Sequence, residues 1–381
     1  MRPSLSSDTT TSEVSIQSLR AVAVLLMVAG HVIGDTPERG LQAGEGTALR
    51  EMYLFLEDVR MPFFTVLSGY VYAIRPVTAG GARRFVTGKV RRLLVPMIVV
   101  GVAFMAVQSI VPATNQTPGP GDVLALFFVG YEHLWFLQAI FLVFLAVMVL
   151  DLAGVMDRPR GWAIVVGLVA ALHVASHVPA PWAVFSINQA MHLLPFFLIG
   201  LGLRRFAGRI PAGAWPVALA GTLLIALLVV RELARVEDIT LHGPPARAFS
   251  LAVGVSGVLL LFGVRRLLHA RPLAWLGGFA FGIYLLHVFG AAGARIVLGR
   301  LGVEDVPVLF LVGLVAGVAF PVLVQLTLGR HPLVSQAVFG QRRRRTTTPA
   351  APASEERPRA VDLRTGDARR RRGRAARRSR V

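Results

Sequence analysis

The sequence predicts an all-α, polytopic membrane helix bundle of about ten transmembrane helices, followed by a disordered basic C-terminal tail. Three observations predict it. Hydrophobic residues fill 54% of the 381 positions and charged residues only 16%, and the mean hydropathy is positive, a balance that points to a membrane protein. Apolar runs of spanning length fall at about 16–33, 52–74, 91–112, 133–151, 162–178, 188–203, 213–230, 247–264, 273–291 and 305–328, several near the short end for a helix that crosses the hydrocarbon. The loops after even-numbered runs hold fourteen basic residues and those after odd-numbered runs seven. Under the positive-inside rule both termini then lie in the cytoplasm.

Residues 1–14 are polar, Ser/Thr-rich and without a basic n-region beyond Arg2. They read as a disordered cytoplasmic N-terminus rather than a signal peptide. The first run carries Arg20 and His31. Eleven residues of helix rise about 16 Å and return to within about 20° of the starting direction, which puts the two on one face at different depths. A snorkelling anchor and a packing histidine would account for them. Ionisable groups in a spanning helix more often face a bundle interior or a wet cavity. The second run runs inward with Glu57, Asp58 and Arg60 in its outer part. Pro62 breaks it, and Ser68-Gly69 lies deeper, a pattern that also suits a helix–helix packing notch. Lys89, Arg91 and Arg92 precede the third run, as positive-inside anchors or as an electropositive cup for a phosphorylated ligand. The short apolar piece 122–130 reads as re-entrant or interfacial. The fourth run opens on Glu132, His133 and Trp135, which could form an interfacial aromatic belt. His173 and His177 have metal-ligand spacing, but with no carboxylate partner in sequence no metal site is expected. The sixth run carries His192 and Pro195, and the ninth places Tyr284 and His287 three apart on one face.

With this orientation seven of the nine histidines fall in the outer half, whereas arginines dominate the inner face. That polarity suggests a through-membrane site, with cations at the cytoplasmic mouth and titratable bases at the outer one. The absence of cysteine excludes disulfides, thiolate metal sites and a thiol nucleophile. Of the net charge of +19, +11 lies from Gln341 onward. The tail has no apolar periodicity, so it is expected to be disordered and drawn to anionic inner-leaflet lipids. Nucleic acid is not an expected partner.

These residues together resemble the acyltransferase 3 family of integral-membrane O-acyltransferases, including its fucose-4-O-acetylase-like members. The matching pieces are Ser18-Leu19-Arg20 with His31, Phe63-Phe64 with Ser68-Gly69-Tyr70, Lys89-Val90-Arg91-Arg92-Leu93-Leu94-Val95-Pro96, His133-Leu134-Trp135-Phe136 and Ile283-Tyr284-Leu285-Leu286-His287. They fall in family order across roughly 15–330, so the expected organisation is 1–14, a transmembrane domain over 15–335, and a tail over 336–381. The chain departs from relatives that carry His before the Met-Pro of the second helix, having Arg60, and the basic tail is not expected to form a fused esterase domain.

The resemblance implies transfer of an acyl group from cytoplasmic acyl-CoA to a hydroxyl of an extracytoplasmic or lipid-linked carbohydrate or a glycosylated metabolite. Acetyl-CoA is the default co-substrate, and no tightly bound cofactor is expected. It makes His31 the catalytic histidine and Arg20 its partner, with Arg91 and Arg92 as the cytoplasmic basic motif. On this reading His31 is the general base, with an acyl-histidine intermediate as a variant, and Glu57 or Asp58 orients it. Donor phosphates dock on Arg20, Arg75, Lys89, Arg91 and Arg92 beside Ser68 and Gly69. Arg60, His133, Trp135, Tyr284 and His287 line the acceptor side. Arg-, Ala-, Gly- and Val-rich composition points to a GC-rich bacterial genome, and hence to a multi-pass protein of the bacterial cytoplasmic membrane. The rival reading is a transporter or flippase of a glycolipid or small polar solute.

Overall fold

The computed structural model describes residues 7–342 apart from 37, 112, 113, 115, 116 and 212. Among them the chain is helical with no strand. In order the helices are α1 (Ser7–Ile33), α2 (Ala48–Tyr72), α3 (Ala82–Lys89), α4 (Val95–Ile110), α5 (Pro120–Phe128), α6 (Trp135–Leu152) and α7 (Pro159–Ala175). There follow α8 (Ile187–Arg205), α9 (Ala214–Val236), α10 (Pro244–Gly263), α11 (Arg271–Gly277), α12 (Ala280–Arg300), α13 (Val306–Thr327) and α14 (Pro332–Ala337).

Among the described residues seven segments are long and apolar enough to cross a membrane: Val14–Ile33, Ala79–Ile110, Gly121–Leu152, Ala214–Val236, Pro244–Arg266, Ala280–Arg300 and Val306–Arg330. This is a multi-pass membrane protein. The figure of ten is approximate: each expected run does contain a long helix, but α2 carries Glu51, Glu57, Asp58 and Arg60, and α7 has only 17 residues. The first helix starts at Ser7, upstream of the expected boundary at 15, so Ser7–Val14 extends α1 rather than lying loose. The expected tail begins later than 336: α14 runs to Ala337, and Phe339 is buried. From Arg343 onward the tail lies outside the described residues.

α1 occupies the centre, packed by α2, α11, α12 and α13. Its Leu19, Ala21, Ala23, Val24 and Val28 have no exposed surface. Ser18 is equally buried, and its hydroxyl donates to the Ala270 carbonyl (3.1 Å) just before α11. Across the bundle α2 packs closely on α8. A Cβ at Gly69 would strike the Phe197 carbonyl, and one at Gly200 would strike that of Val66. In lipid, where apolar burial drives no association, such close backbone approach through small residues holds helices together. Pro62 and Pro195 sit inside these two helices, and the hydroxyls of Thr65 and Ser68 bond the carbonyls of Met61 and Phe64 one turn back.

Two features position the basic motif. Pro96 has no N–H to donate one turn back, and α3 reaches α4 through a π-helical turn, Val90–Leu94. Such turns alter the direction in which successive side chains leave the axis. The short α5 is nine residues long, about 14 Å at 1.5 Å per residue. Its C-terminus is pinned by the Gln138 amide, which donates to the carbonyls of Leu126 (3.0 Å) and Phe127 (3.3 Å).

Candidate functional site

Two cavities lie along α1, one at its Arg20 end and one at its His31 end, and no residue lines both. The first, about 430 Å³, is lined by Arg20 from α1, Ser68 and Arg75 from α2 and just beyond it, Lys89 from α3 and Arg92 from the π turn. Phe64, Phe136 and Tyr284 also line it. Among the described residues no carboxylate lines it, and none of these four cations makes an ion pair. Arg20 reaches only the Gln17 amide oxygen (3.4 Å), and the Lys89 ammonium lies 3.1 Å from the centroid of the Phe144 ring. Four cations around one cavity, with no counter-charge among the described residues, give it a positive potential that suits a polyanion.

The second cavity, about 320 Å³, is lined by His31, His133 and Trp135, with apolar walls such as Phe104, Val288 and Phe289. Asp35, Arg39, Glu132 and Arg295 add charges to its lining. Arg39 pairs with both Asp35 (3.3 Å) and Glu132 (3.4 Å). His31, in the last turn of α1, is exposed to this cavity. Its ring meets those of His287 at 4.8 Å and His133 at 6.0 Å, and these two lie 4.9 Å apart.

Each of the three imidazoles spends one nitrogen on a backbone carbonyl. His31 Nδ1 bonds Met27 O (2.9 Å), His133 Nε2 bonds Leu285 O (3.3 Å), and His287 Nδ1 bonds Tyr284 O (2.9 Å). A carbonyl oxygen only accepts, so the nitrogen facing it carries the proton and the other nitrogen of the neutral ring keeps its lone pair. For His31 that is Nε2. The matching atoms of the other two, His133 Nδ1 and His287 Nε2, are buried with no hydrogen-bond partner among the described residues. The Tyr284 hydroxyl donates to the His133 carbonyl (2.6 Å), which ties α12 to the turn before α6.

Some sequence expectations meet in these two places and others do not. His31, His133 and Trp135 share one cavity, with His287 buried directly behind. Arg20, Arg75, Lys89, Arg92 and Ser68 share the other. Arg20 therefore stands about 16 Å from His31 along the helix, at 1.5 Å per residue. The carboxylates expected to orient His31 are engaged elsewhere or turned outward. Asp58 is ion-paired with Arg231 of α9 and accepts from the Ser250 hydroxyl of α10 (2.5 Å), and Glu57 is exposed. Arg60 does not line the acceptor cavity. It is buried under the Tyr53 ring (4.2 Å), packed on Gly30. Arg91 turns away from the basic cavity, and its Nε donates to the Gly340 carbonyl (3.3 Å). Gly69 faces α8 instead of the cavity, and Tyr284 lines the basic cavity instead of the acceptor side. His173 and His192 form a hydrogen-bonded pair (3.3 Å) apart from both cavities.

Asp35, Arg39 and Arg295 were not expected at a site, and Glu132 was expected only to open the fourth run. The signal within reach was local. Asp35 follows α1 by two residues, and Glu132 directly precedes His133.

A family model described as an acyltransferase domain matches residues 13–326. The chain belongs to the acyltransferase 3 family. It is a membrane O-acyltransferase, and the matched span contains both cavities apart from Phe339. No curated protein and no solved structure matches the chain. With acyl transfer as the chemistry, the arrangement of this acyltransferase has a direct meaning. His31, whose Nδ1 is held by a backbone carbonyl, lines one cavity at the far end of the helix whose Arg20 lines the other.

Proposed function

We propose that this acyltransferase takes a short acyl group, by default acetyl, from acyl-CoA and esterifies a hydroxyl of a carbohydrate, glycolipid or glycosylated metabolite. The observation that carries the reading is the pairing of a carboxylate-free, four-cation cavity with a histidine-lined cavity at opposite ends of α1. The phosphates of CoA suit Arg20, Arg75, Lys89 and Arg92, since guanidinium forks match phosphate oxygens. The pantetheine arm extends the thioester away from those phosphates and toward His31. Trp135 offers the acceptor an aromatic face beside the base.

The hydroxyl oxygen attacks the thioester carbonyl carbon as its proton passes to His31 Nε2. The new C–O bond forms, the carbonyl electrons collapse back, the C–S bond breaks, and the thiolate takes the proton from His31 to leave as free CoA. His287 and His133, packed on the His31 ring, hold it in place for both transfers. In this reading the basic loops and termini face the cytoplasm of a bacterial cell, the donor enters from that side, and the acceptor comes from outside. The Arg-rich tail then lies against anionic inner-leaflet lipids.

The test is thiol release by purified protein in detergent, from acetyl-CoA with an envelope-glycan extract as acceptor, beside His31→Ala. Release that needs the extract and disappears in a folded His31→Ala protein is expected. Full release by that variant would remove His31 from the reaction. No release from any short acyl-CoA by folded wild-type protein would refute the donor.

A further inference from the structure

Between the two cavities stands a partition of three aromatic rings. Phe64, Phe136 and Tyr284 all line the basic cavity. Their centroids are 5.8 Å apart for Phe64–Phe136, 5.6 Å for Phe136–Tyr284 and 6.4 Å for Phe64–Tyr284. Directly behind Tyr284 is His133, at 5.8 Å, which already belongs to the other cavity. The chain alternates sides at this level. Trp135 lines one cavity and Phe136 the other, and His287 lies between Tyr284 on one side and Val288 on the other.

The three rings are not equally fixed. Tyr284 is 2% exposed and tethered through its hydroxyl to the His133 carbonyl, and Phe136 is 3% exposed. Phe64 is only half-buried, with its free surface toward the basic cavity. Two helix-bending features flank it. Pro62 lies two residues before it, and the Ser68 hydroxyl bonds the Phe64 carbonyl itself. Proline and serine back-bonding both bend helices.

We propose that Phe64 is the gate of this partition: its ring closes the passage between the cavities, swings into the basic cavity to admit the acyl group, and limits that group to short chains. The length limit rests on the acyl-CoA reading above, whereas the closure does not. An acyl group bound for His31 must pass the plane of these rings, and the space available to it is what one rotated phenyl ring vacates. Phe136 and Tyr284 form the fixed jambs.

The lack of cysteine makes the gate measurable without any reaction. A single thiol at Ser68→Cys reports the basic cavity and one at Ala292→Cys the histidine cavity, each probed with a membrane-impermeant sulfonated methanethiosulfonate in right-side-out and inside-out vesicles. With Phe64 intact, each thiol is expected to react from one side only, and from opposite sides. Phe64→Ala should let the Ser68→Cys thiol react from the Ala292→Cys side about tenfold faster or more, because an open state populated at 10% or less becomes permanent. Phe64→Leu, which keeps an apolar side chain and guards against misfolding, should fall between. Equal reactivity from both sides with Phe64 present, or no change in folded Phe64→Ala and Phe64→Leu proteins, overturns the gate.

The second arm compares acetyl-, butyryl- and hexanoyl-CoA. Phe64→Ala should raise the kcat/KM for hexanoyl-CoA relative to acetyl-CoA by about tenfold or more, the scale on which a pocket discriminates by a few methylenes. An unchanged ratio with opened labelling overturns the length limit and keeps the closure. Opened labelling with no acyl-CoA consumed by wild-type protein sinks the donor reading and again keeps the closure.

Discussion

Gly69→Ala separates packing from donor binding at the Ser68-Gly69 pair. Only the first of the two residues enters the basic cavity. The second faces α8, where a Cβ would meet the carbonyl oxygen and carbon of Phe197 and the amide nitrogen of Leu201. All three are backbone atoms, so no side-chain rotation relieves the overlap and the two helices must move apart. Overpacking of this kind costs about 1–3 kcal/mol. Alanine recovers about 1 kcal/mol of helix propensity over glycine, which leaves a net loss of up to about 2 kcal/mol. Gly167→Ala in α7, where a Cβ meets nothing within 4 Å, is the matched control and should be neutral or slightly stabilising. The assay is thermal unfolding of detergent-purified protein, with KM for acetyl-CoA measured on the same samples. Gly69→Ala should melt below both wild type and the control, with an unchanged KM. A variant as stable as wild type but with a raised KM would refute the packing argument and return Gly69 to the donor site.

Two further outcomes follow from the charges. Arg92→Ala should raise KM for acyl-CoA about ten- to a hundredfold, the loss of a charge-assisted hydrogen bond worth about 1.5–3 kcal/mol. Arg91→Ala, whose side chain faces Gly340, should leave KM unchanged; steady-state kinetics of the two side by side checks the distinction. Asp58→Asn removes the partner of Arg231 in a pair whose side chains are 26% and 17% exposed. Breaking a fully buried pair costs about 3–5 kcal/mol, and partial exposure lowers this to about 2 kcal/mol. The melting point should fall while the acid limb of the pH–rate profile stays in place, because Asp58 does not touch His31. A shifted acid limb would restore Asp58 as the group that orients His31.

How far the site could be read from the sequence depended on which coordinate was needed. Depth in the bundle follows from position in an apolar run, and it is depth that sets His31 apart from Arg20 and groups His31 with His133 and His287. Azimuth follows from helical period only within one regular helix. It is correct for Arg20 and His31, eleven residues apart on α1, each of which reaches a cavity. It is not available between helices. Glu57 and Asp58 lie at about the depth of His31, yet Asp58 is claimed by α9 and α10, and the sequence does not show which neighbours flank α2. The basic motif falls between these cases. Lys89 and Arg92, three apart, share a face, and Arg91, two residues from one and next to the other, leaves on another. Arg39, Asp35 and Arg295 were out of reach of periodicity, since their grouping depends on how the loop after α1 and the end of α12 fold around the cavity mouth.

The histidine cluster carries a cost that packing alone would not impose. A buried nitrogen with no hydrogen-bond partner gives up about 1–3 kcal/mol, and His133 Nδ1 and His287 Nε2 are two such atoms within one ring cluster. Apolar side chains of similar volume would seal the bundle without that loss, as the phenylalanines one turn deeper do. A bundle that needed only to be closed would have no use for three imidazoles, each with its proton held on a backbone carbonyl and its lone pair turned elsewhere. An active site that must accept a proton at one imidazole and return it has such a use. Two rings packed edge-on against the third keep that imidazole from rotating between the two transfers.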